Sequence, residues 1–362
     1  MSNMLDYIVW RGDLPLNRDG WNDVDALVMA CFCYGTLTEA LDKPLSALEG
    51  VSAAPRQGSM EHEVATLIQA MAVSRRYGGL TVRDWVDVVD PAQNMQFSAT
   101  TIDAPDGVRV VAFRGTDGTL TGWHEDFNMA FETPVPAQVA AVDYLERAAS
   151  GFDGTLMLTG HSKGGNLSLY AAAHVSEAAQ RRIGVIYTFD GPGLDEASAD
   201  SDGYRRISGR IRSFVPQSSV VGVLLTYYPD YVVVRSDASG LQQHNAFSWQ
   251  VAGPRFVTVG ELARGSQMVD RTIREWLRIC TPEQREKLVA ALFDVLKSTN
   301  AWSLNDLKRN FVSNTSAVIE AVRRLDPETG KVFAELLGKL MLAGAGSLLR
   351  PDKPAPPADT PR

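Results

Sequence analysis

The chain of 362 residues has few cysteines, no block of basic residues and no long uninterrupted apolar run, and each lack excludes a class of protein. Its three cysteines, Cys31, Cys33 and Cys280, form an odd set without metal-site spacing, so we expect reduced thiols and no bound metal. Lys and Arg total 35 against 43 Asp and Glu, and the net charge of −8 disfavours a nucleic-acid partner.

Two segments are candidates for a signal peptide and for a transmembrane helix, and both lack the required features. The first ten residues contain Asp6 and lack both a basic region and an apolar core, which predicts no signal peptide. Residues 332–349 are interrupted by Glu335 and Lys339, which predicts no transmembrane segment. Together with the reduced cysteines, these features lead us to expect a cytoplasmic protein.

The order of predicted strands and helices favours the α/β class. Residues 1–90 are expected to be mainly helical, and strands then alternate with helices up to about residue 259. The strand candidates are residues 95–102, 108–115, 155–159, 183–190, 211–215, 231–235 and 247–251. This alternation predicts a mostly parallel sheet flanked by helices. Residues 260–349 predict a helical extension, and the proline-rich residues 350–362 predict a disordered tail.

The segment Gly160-His161-Ser162-Lys163-Gly164 matches the G-x-S-x-G pattern of hydrolase nucleophiles. It directly follows an apolar strand and precedes a strong helix pattern, NLSLYAAAHV, which is the setting that a nucleophile elbow requires. The helix N-terminus also favours negative charge that develops near the serine. We therefore predict Ser162 as a catalytic nucleophile; the alternative is a serine that only caps the helix.

A nucleophile for acyl transfer needs hydrogen-bond donors for the oxyanion, and one is the backbone N–H of Lys163. The segment VVAFRGTDGTLTGW resembles the class-three lipases, in which a strand ends in F-R-G-[ST] and a W-x-x-D segment follows. The resemblance implies that Thr116 supplies the second donor. Those lipases commonly have an apolar residue where this chain has Lys163. Two interpretations stay open: its ammonium lies near the acyl site and favours a polar substrate, or it points into water.

The base is predicted from chain order, because the histidine follows the acid and the serine in α/β-hydrolases. Two histidines lie after Ser162. His174 falls within the next helix, too close in sequence to return to the elbow. His244 lies in a loop after the strand at 231–235, and Trp249 behind it resembles the aromatic residue that follows the histidine of class-three lipases. We therefore predict His244 as the base.

The acid is the position at which the sequence departs most from those lipases. Their D-x-V-P-type loop corresponds to SFVPQSSVVG, where Ser218 and Ser219 stand in place of the expected Asp. Asp190 closes the strand after the elbow helix, in a turn similar to the one that carries the acid in pancreatic-type lipases. We predict Asp190 as the acid because the two strand ends are neighbours at one sheet edge. Asp237 is the alternative, and a purely structural Asp190 stays open.

Segments along nearly the whole chain are similar to the Mbeg-like family of bacterial proteins, which are themselves lipase-like. They include MLDYIVWRGDLPL, TGHSKGGNLSLYAA, TFDGPGL and QHNAFSW. The resemblance implies an α/β-hydrolase fold and a serine hydrolase that cleaves a carboxyl ester or lipid acyl bond without a cofactor. The alternative is a degenerate hydrolase scaffold that binds a ligand or a protein partner, which the missing acid at Ser218 and Ser219 favours.

Overall fold

The computed structural model describes residues 2–50, 60–116, 120–129, 132–219, 221–223 and 230–263, with a few isolated residues after them. The predicted tail and nearly all of the predicted helical extension lie outside these residues. Within them, no helix has both the length and the apolar character needed to cross a membrane.

Among the described residues, four α-helices come before residue 80, and helices separate the strands between residues 108 and 216. The helices are α1 (Met4–Arg11), α2 (Leu16–Asp19), α3 (Asp23–Phe32), α4 (Glu61–Val73), α5 (Leu120–Asn128), α6 (Pro136–Ala149), α7 (Lys163–His174), α8 (Glu177–Gln180), α9 (Glu196–Ala199) and α10 (Asp202–Ile207). The strands are β1 (Thr81–Asp90), β2 (Met95–Asp103), β3 (Val108–Phe113), β4 (Thr155–His161), β5 (Ile183–Phe189), β6 (Ile211–Pro216), β7 (Tyr231–Val234), β8 (Val251–Ala252), β9 (Arg255–Phe256) and β10 (Thr258–Val259).

One sheet organises the described residues, with strand order β1-β2-β3-β4-β5-β6-β7-β10. Strands β3 to β7 pair in parallel, whereas β1, β2 and β10 pair antiparallel at the two ends. The predicted α/β-hydrolase-like, mostly parallel sheet is therefore confirmed. Because β3 to β7 run in one direction, their carboxyl ends lie along the same edge.

Apolar side chains cover both faces of this sheet. Successive residues of a strand point to opposite faces, and accordingly Val110 and Met157 join the cluster that contains α1, α3 and α4. Val111 and Leu158 join the cluster that contains α6 and α7. Helix α3 is buried from Val24 to Phe32, which is typical of a helix laid across a central strand.

Side-chain caps determine where the N-terminal helices start. Asn3 precedes α1 and Asn22 precedes α3, and each accepts bonds from two backbone N–H groups of its helix. Asp6 and Asp25 reach back to the cap residue's own N–H, which completes a capping box at both helices.

The structure departs from the expected secondary structure at two places. Residues 1–90 contain the helices α1 to α4, as expected, but end in the ten-residue strand β1, which contains several β-branched residues and pairs along its length with β2. The strand expected at 247–251 is instead a 3₁₀ helix, Ala246–Ser248, followed by the short β8. The Asn245 side chain accepts from the Phe247 N–H and so stabilises a helical turn where alternating apolar residues suggest a strand.

Candidate active site

Ser162 lies in a sharp turn between β4 and α7, with φ of 58° and ψ of −134°. A non-glycine residue holds this left-handed conformation only where its surroundings enforce it. The Ser162 N–H donates to the Phe189 carbonyl at the end of β5, at 2.9 Å. A Cβ atom at Gly164 would lie 2.0 Å from the Phe113 carbonyl, so only glycine lets α7 approach β3 this closely. These contacts position the serine hydroxyl at the carboxyl edge of the sheet.

His244 is the last residue of a 3₁₀ helix, Gly240–His244, that follows β7. Its Nε2 lies 3.0 Å from the Ser162 hydroxyl oxygen. Its segment is held by two buried groups. The Trp249 indole donates to the Gln243 carbonyl at 2.8 Å, and the His161 Nε2 lies 2.8 Å from the His244 carbonyl. The imidazole thus faces the serine from a fixed direction, with 31% of its side chain exposed.

Asp190 follows β5 directly and has a positive φ of 48°. One carboxylate oxygen, Oδ2, lies 2.6 Å from His244 Nδ1. The other, Oδ1, accepts from the Ser219 hydroxyl at 2.5 Å and from the Gly222 N–H at 3.1 Å. The carboxylate is fully buried, yet both of its oxygens are hydrogen-bonded. The structure therefore brings Ser162, His244 and Asp190 into one continuous chain of hydrogen bonds.

The other acid candidates lie elsewhere or act indirectly. The Asp237 side chain accepts from Gln250 Nε2 at 2.5 Å, on an exposed residue. Ser219, one of the two serines that stand where the resemblance to class-three lipases leads to the expectation of an Asp, donates to Asp190. Nothing in the sequence around Ser219 indicated this contact, because it depends on the close approach of the ends of β5 and β6.

His161, the residue before the serine, packs its ring 4.7 Å from the His244 ring, centroid to centroid. Its Nε2 carries the proton that it donates to the His244 carbonyl, so its Nδ1 accepts from the Tyr34 hydroxyl at 3.1 Å. Burial, with a smaller contribution from neighbouring His244, lowers the pKa of His161 to about 3. His161 is therefore neutral at physiological pH. No pattern in the sequence indicated that His161 holds the His244 segment.

Thr116 and Lys163 lie on the two segments that flank Ser162. A Cβ atom at Gly115 would be 3.0 Å from the Ser162 Cβ, which places the segment that carries Thr116 beside the serine. The Thr116 hydroxyl donates to the Asp126 carboxylate. Lys163 is the first residue of α7, and the expectation that its ammonium points into water is wrong, since the side chain is fully buried. It is bound by protein groups and is not free to bind a substrate.

In the described part of the chain, no group of three or more His, Cys, Asp and Glu residues is arranged to hold a metal ion.

Comparisons with known proteins identify the family. The family model described as Mbeg1-like matches residues 71–294, which is more than half of the chain. The chain belongs to the Mbeg1-like family. The resemblance seen in the sequence is thereby confirmed, and the match covers Ser162, Asp190 and His244. No curated protein matches the sequence of this Mbeg1-like protein.

Several solved structures are similar to part of this Mbeg1-like chain. M37 lipase is 15% identical, with a TM-score of 0.36, over 55% of this chain and 68% of that one. A fungal lipase in complex with an inhibitor is 13% identical, with a TM-score of 0.34, over 64% and 78% of the two chains. The triacylglycerol lipase from Penicillium expansum is 15% identical, with a TM-score of 0.30, over 49% and 76%.

Proposed function

We propose that this protein is a serine hydrolase that cleaves a carboxyl ester or lipid acyl bond through Ser162, His244 and Asp190. One observation carries the proposal: the hydroxyl, the imidazole and the carboxylate follow one another at 3.0 and 2.6 Å. These are the distances at which a base activates a nucleophile and an acid orients the base.

Each group has a defined task in the proposed reaction. His244 Nε2 takes the proton from Ser162 as the hydroxyl oxygen attacks the acyl carbonyl. Asp190 stabilises the imidazolium that forms and keeps the remaining proton on Nδ1. His244 then protonates the leaving alcohol, and the acyl-enzyme is hydrolysed by water in a second passage through the same steps.

The negative charge on the oxygen of the tetrahedral intermediate requires hydrogen-bond donors that do not belong to the triad. We assign these donors to the backbone N–H groups of Thr116 and Lys163, which belong to the segments on either side of Ser162. The positive end of α7 adds to the stabilisation, because Lys163 begins that helix. No step in this scheme needs a cofactor.

The alternative of a degenerate scaffold was favoured by the missing acid at Ser218 and Ser219. It loses that support because Asp190 contacts His244 and Ser219 donates to Asp190. The serine-hydrolase proposal is therefore the better account of this site.

The test uses the purified protein, short-chain p-nitrophenyl esters and a fluorophosphonate probe. Ser162→Ala should reduce turnover to the rate of spontaneous hydrolysis and abolish labelling, because only an activated serine reacts appreciably with the probe. Ser168→Ala is the matched control: this buried serine lies in α7, the helix that follows Ser162, and it donates to the Gly164 carbonyl. It should keep both turnover and labelling. Equal turnover in Ser162→Ala and the parent would contradict the proposal, and an inert parent would favour the scaffold.

A further inference from the structure

The Lys163 ammonium is fully buried and is bonded to a polar network behind the proposed oxyanion site. It donates to the Gln96 carbonyl at 2.8 Å and to Glu125 Oε2 at 2.9 Å, and it lies 3.7 Å from Asp126 Oδ1. The side chains of Lys163 and Glu125 are both 0% exposed. A fully buried ammonium is costly unless it is paired, and Lys163 is paired with Glu125.

Glu125 has enough partners to remain bound without the lysine. Its Oε2 also accepts from the Gln96 N–H at 3.0 Å, and its Oε1 accepts from the Ala137 N–H at 2.8 Å, at the start of α6. The carboxylate thus fastens α5 to β2 and α6 on its own. The ammonium of Lys163 adds one connection that these bonds do not make, between α5 and the elbow.

Asp126, the next residue of α5, connects this network to the oxyanion site. It accepts from the Thr116 hydroxyl, while its other oxygen is buried and has no hydrogen-bond partner. Burial raises the pKa of the Asp126 carboxyl, and the Lys163 ammonium is the largest influence that opposes this shift. Lys163 therefore acts on the carboxylate that holds Thr116.

We propose that Lys163 is a positioning residue whose ammonium, through α5 and Asp126, holds Thr116 in register with the backbone N–H of Lys163 itself. This inference rests on the proposed function. The two oxyanion donors come from segments that are separate in sequence, one after β3 and one at the start of α7. Donors of this kind must be placed to within about 0.5 Å. One side chain links both segments, and an apolar residue at 163 fills the space without attracting α5.

The decisive variant is Lys163→Met, which removes the ammonium and leaves the backbone donor in place. We expect kcat for a short p-nitrophenyl ester to fall about 10- to 100-fold with KM within about twofold. Loss of a whole oxyanion donor typically costs 10²–10³ in kcat, and a displaced donor costs less. The affinity for a trifluoromethyl ketone, which forms a tetrahedral adduct with the serine, should weaken in parallel with kcat/KM.

A second buried ion pair provides the control for a general loss of stability. Arg76 and Asp25 meet at 2.5 Å with both side chains 0% exposed, and Asp25 lies at the opposite end of α3 from Tyr34 and the elbow. Arg76→Met should lower the melting temperature as Lys163→Met does, yet leave kcat and the ketone affinity within about twofold. If either Met variant does not fold, Lys163→Gln and Asp25→Asn replace them as milder neutral changes.

The outcomes separate this inference from the proposed function. Ser162-dependent turnover in the parent, with kcat and ketone affinity unchanged in folded Lys163→Met or Lys163→Gln, overturns the positioning role alone. An equal loss of kcat in the variants of Arg76 or Asp25 also overturns it, because the effect is then one of stability. Absence of Ser162-dependent turnover in the parent overturns both proposals.

Discussion

Replacing Asp190 by Asn tests the proposed triad at the position where the sequence departs most from the lipases. The change keeps the shape of the side chain but exchanges one oxygen for an NH₂ group. In the parent, Oδ1 accepts from the Ser219 hydroxyl and the Gly222 N–H, while Oδ2 faces His244 Nδ1. A hydroxyl can rotate to accept, but a backbone N–H only donates. The Gly222 N–H is shared between Asp190 Oδ1 and the Ser219 hydroxyl oxygen, both at 3.1 Å, so it favours an amide oxygen on its side.

The favoured orientation places the amide oxygen towards Gly222 and its NH₂ group towards His244. That NH₂ group donates to Nδ1, so the imidazole proton moves to Nε2 and points at Ser162. The serine then has no acceptor for its proton. The opposite orientation turns the NH₂ group towards the Gly222 N–H, which then keeps only the Ser219 hydroxyl oxygen, at 3.1 Å, as an acceptor. The imidazolium also loses its anionic partner. We expect kcat to fall on the order of 10⁴-fold, or about 5.5 kcal/mol.

The assay is ester turnover by variants whose fold is checked by circular dichroism and melting temperature. Asp237→Asn is the matched control, because Asp237 is exposed and bonds to Gln250 rather than to His244. It should leave kcat within about threefold of the parent. A folded Asp190→Asn protein with kcat within tenfold of the parent would refute the tautomer argument, and a large loss in Asp237→Asn would move the acid to Asp237.

Three further predictions concern the surroundings of the triad. His161 keeps a folded pKa of about 3 against about 6.5 when unfolded, so the native state binds fewer protons between these values. The contribution of His161 should therefore lower the free energy of unfolding by about 1.4 kcal/mol for each pH unit that the pH drops through this window. His161→Asn removes this one-proton difference, so the free energy of unfolding, measured by urea titration, should depend less steeply on pH. An unchanged dependence would contradict the lowered pKa of His161. Gly164→Ala should lower the melting temperature strongly because its Cβ meets the Phe113 carbonyl, whereas Gly209→Ala, with open space around it, should change it by a few degrees at most. Trp249→Phe removes a buried donor to Gln243 and should reduce the free energy of unfolding by about 1–3 kcal/mol in denaturant titrations, with no reduction if that bond is dispensable.

The sequence carries enough local information for the sheet and for the setting of the serine. An apolar strand, a glycine-flanked serine and a strong helix pattern are adjacent in the chain, so Ser162 could be placed on an elbow from these residues alone. Chain order then reduced the downstream histidines to His244. By contrast, β1 contains charged residues among its β-branched ones, and it becomes a strand through pairing with β2. Local pattern is a weak guide where a distant partner decides the conformation.

The roles of the remaining groups were decided by tertiary structure. The position of Asp190 beside His244 depends on how close the ends of β5 and β6 approach, and Ser219 joins the site for the same reason. The Lys163 side chain is buried because Glu125 and Gln96, 38 and 67 positions away in the chain, meet it behind the elbow. Sequence alone determined which residue types are available at the carboxyl edge of the sheet. Only the packing of separate segments determined which of them touch, since hydrogen bonds and burial depend on distances of a few ångströms that no local pattern encodes.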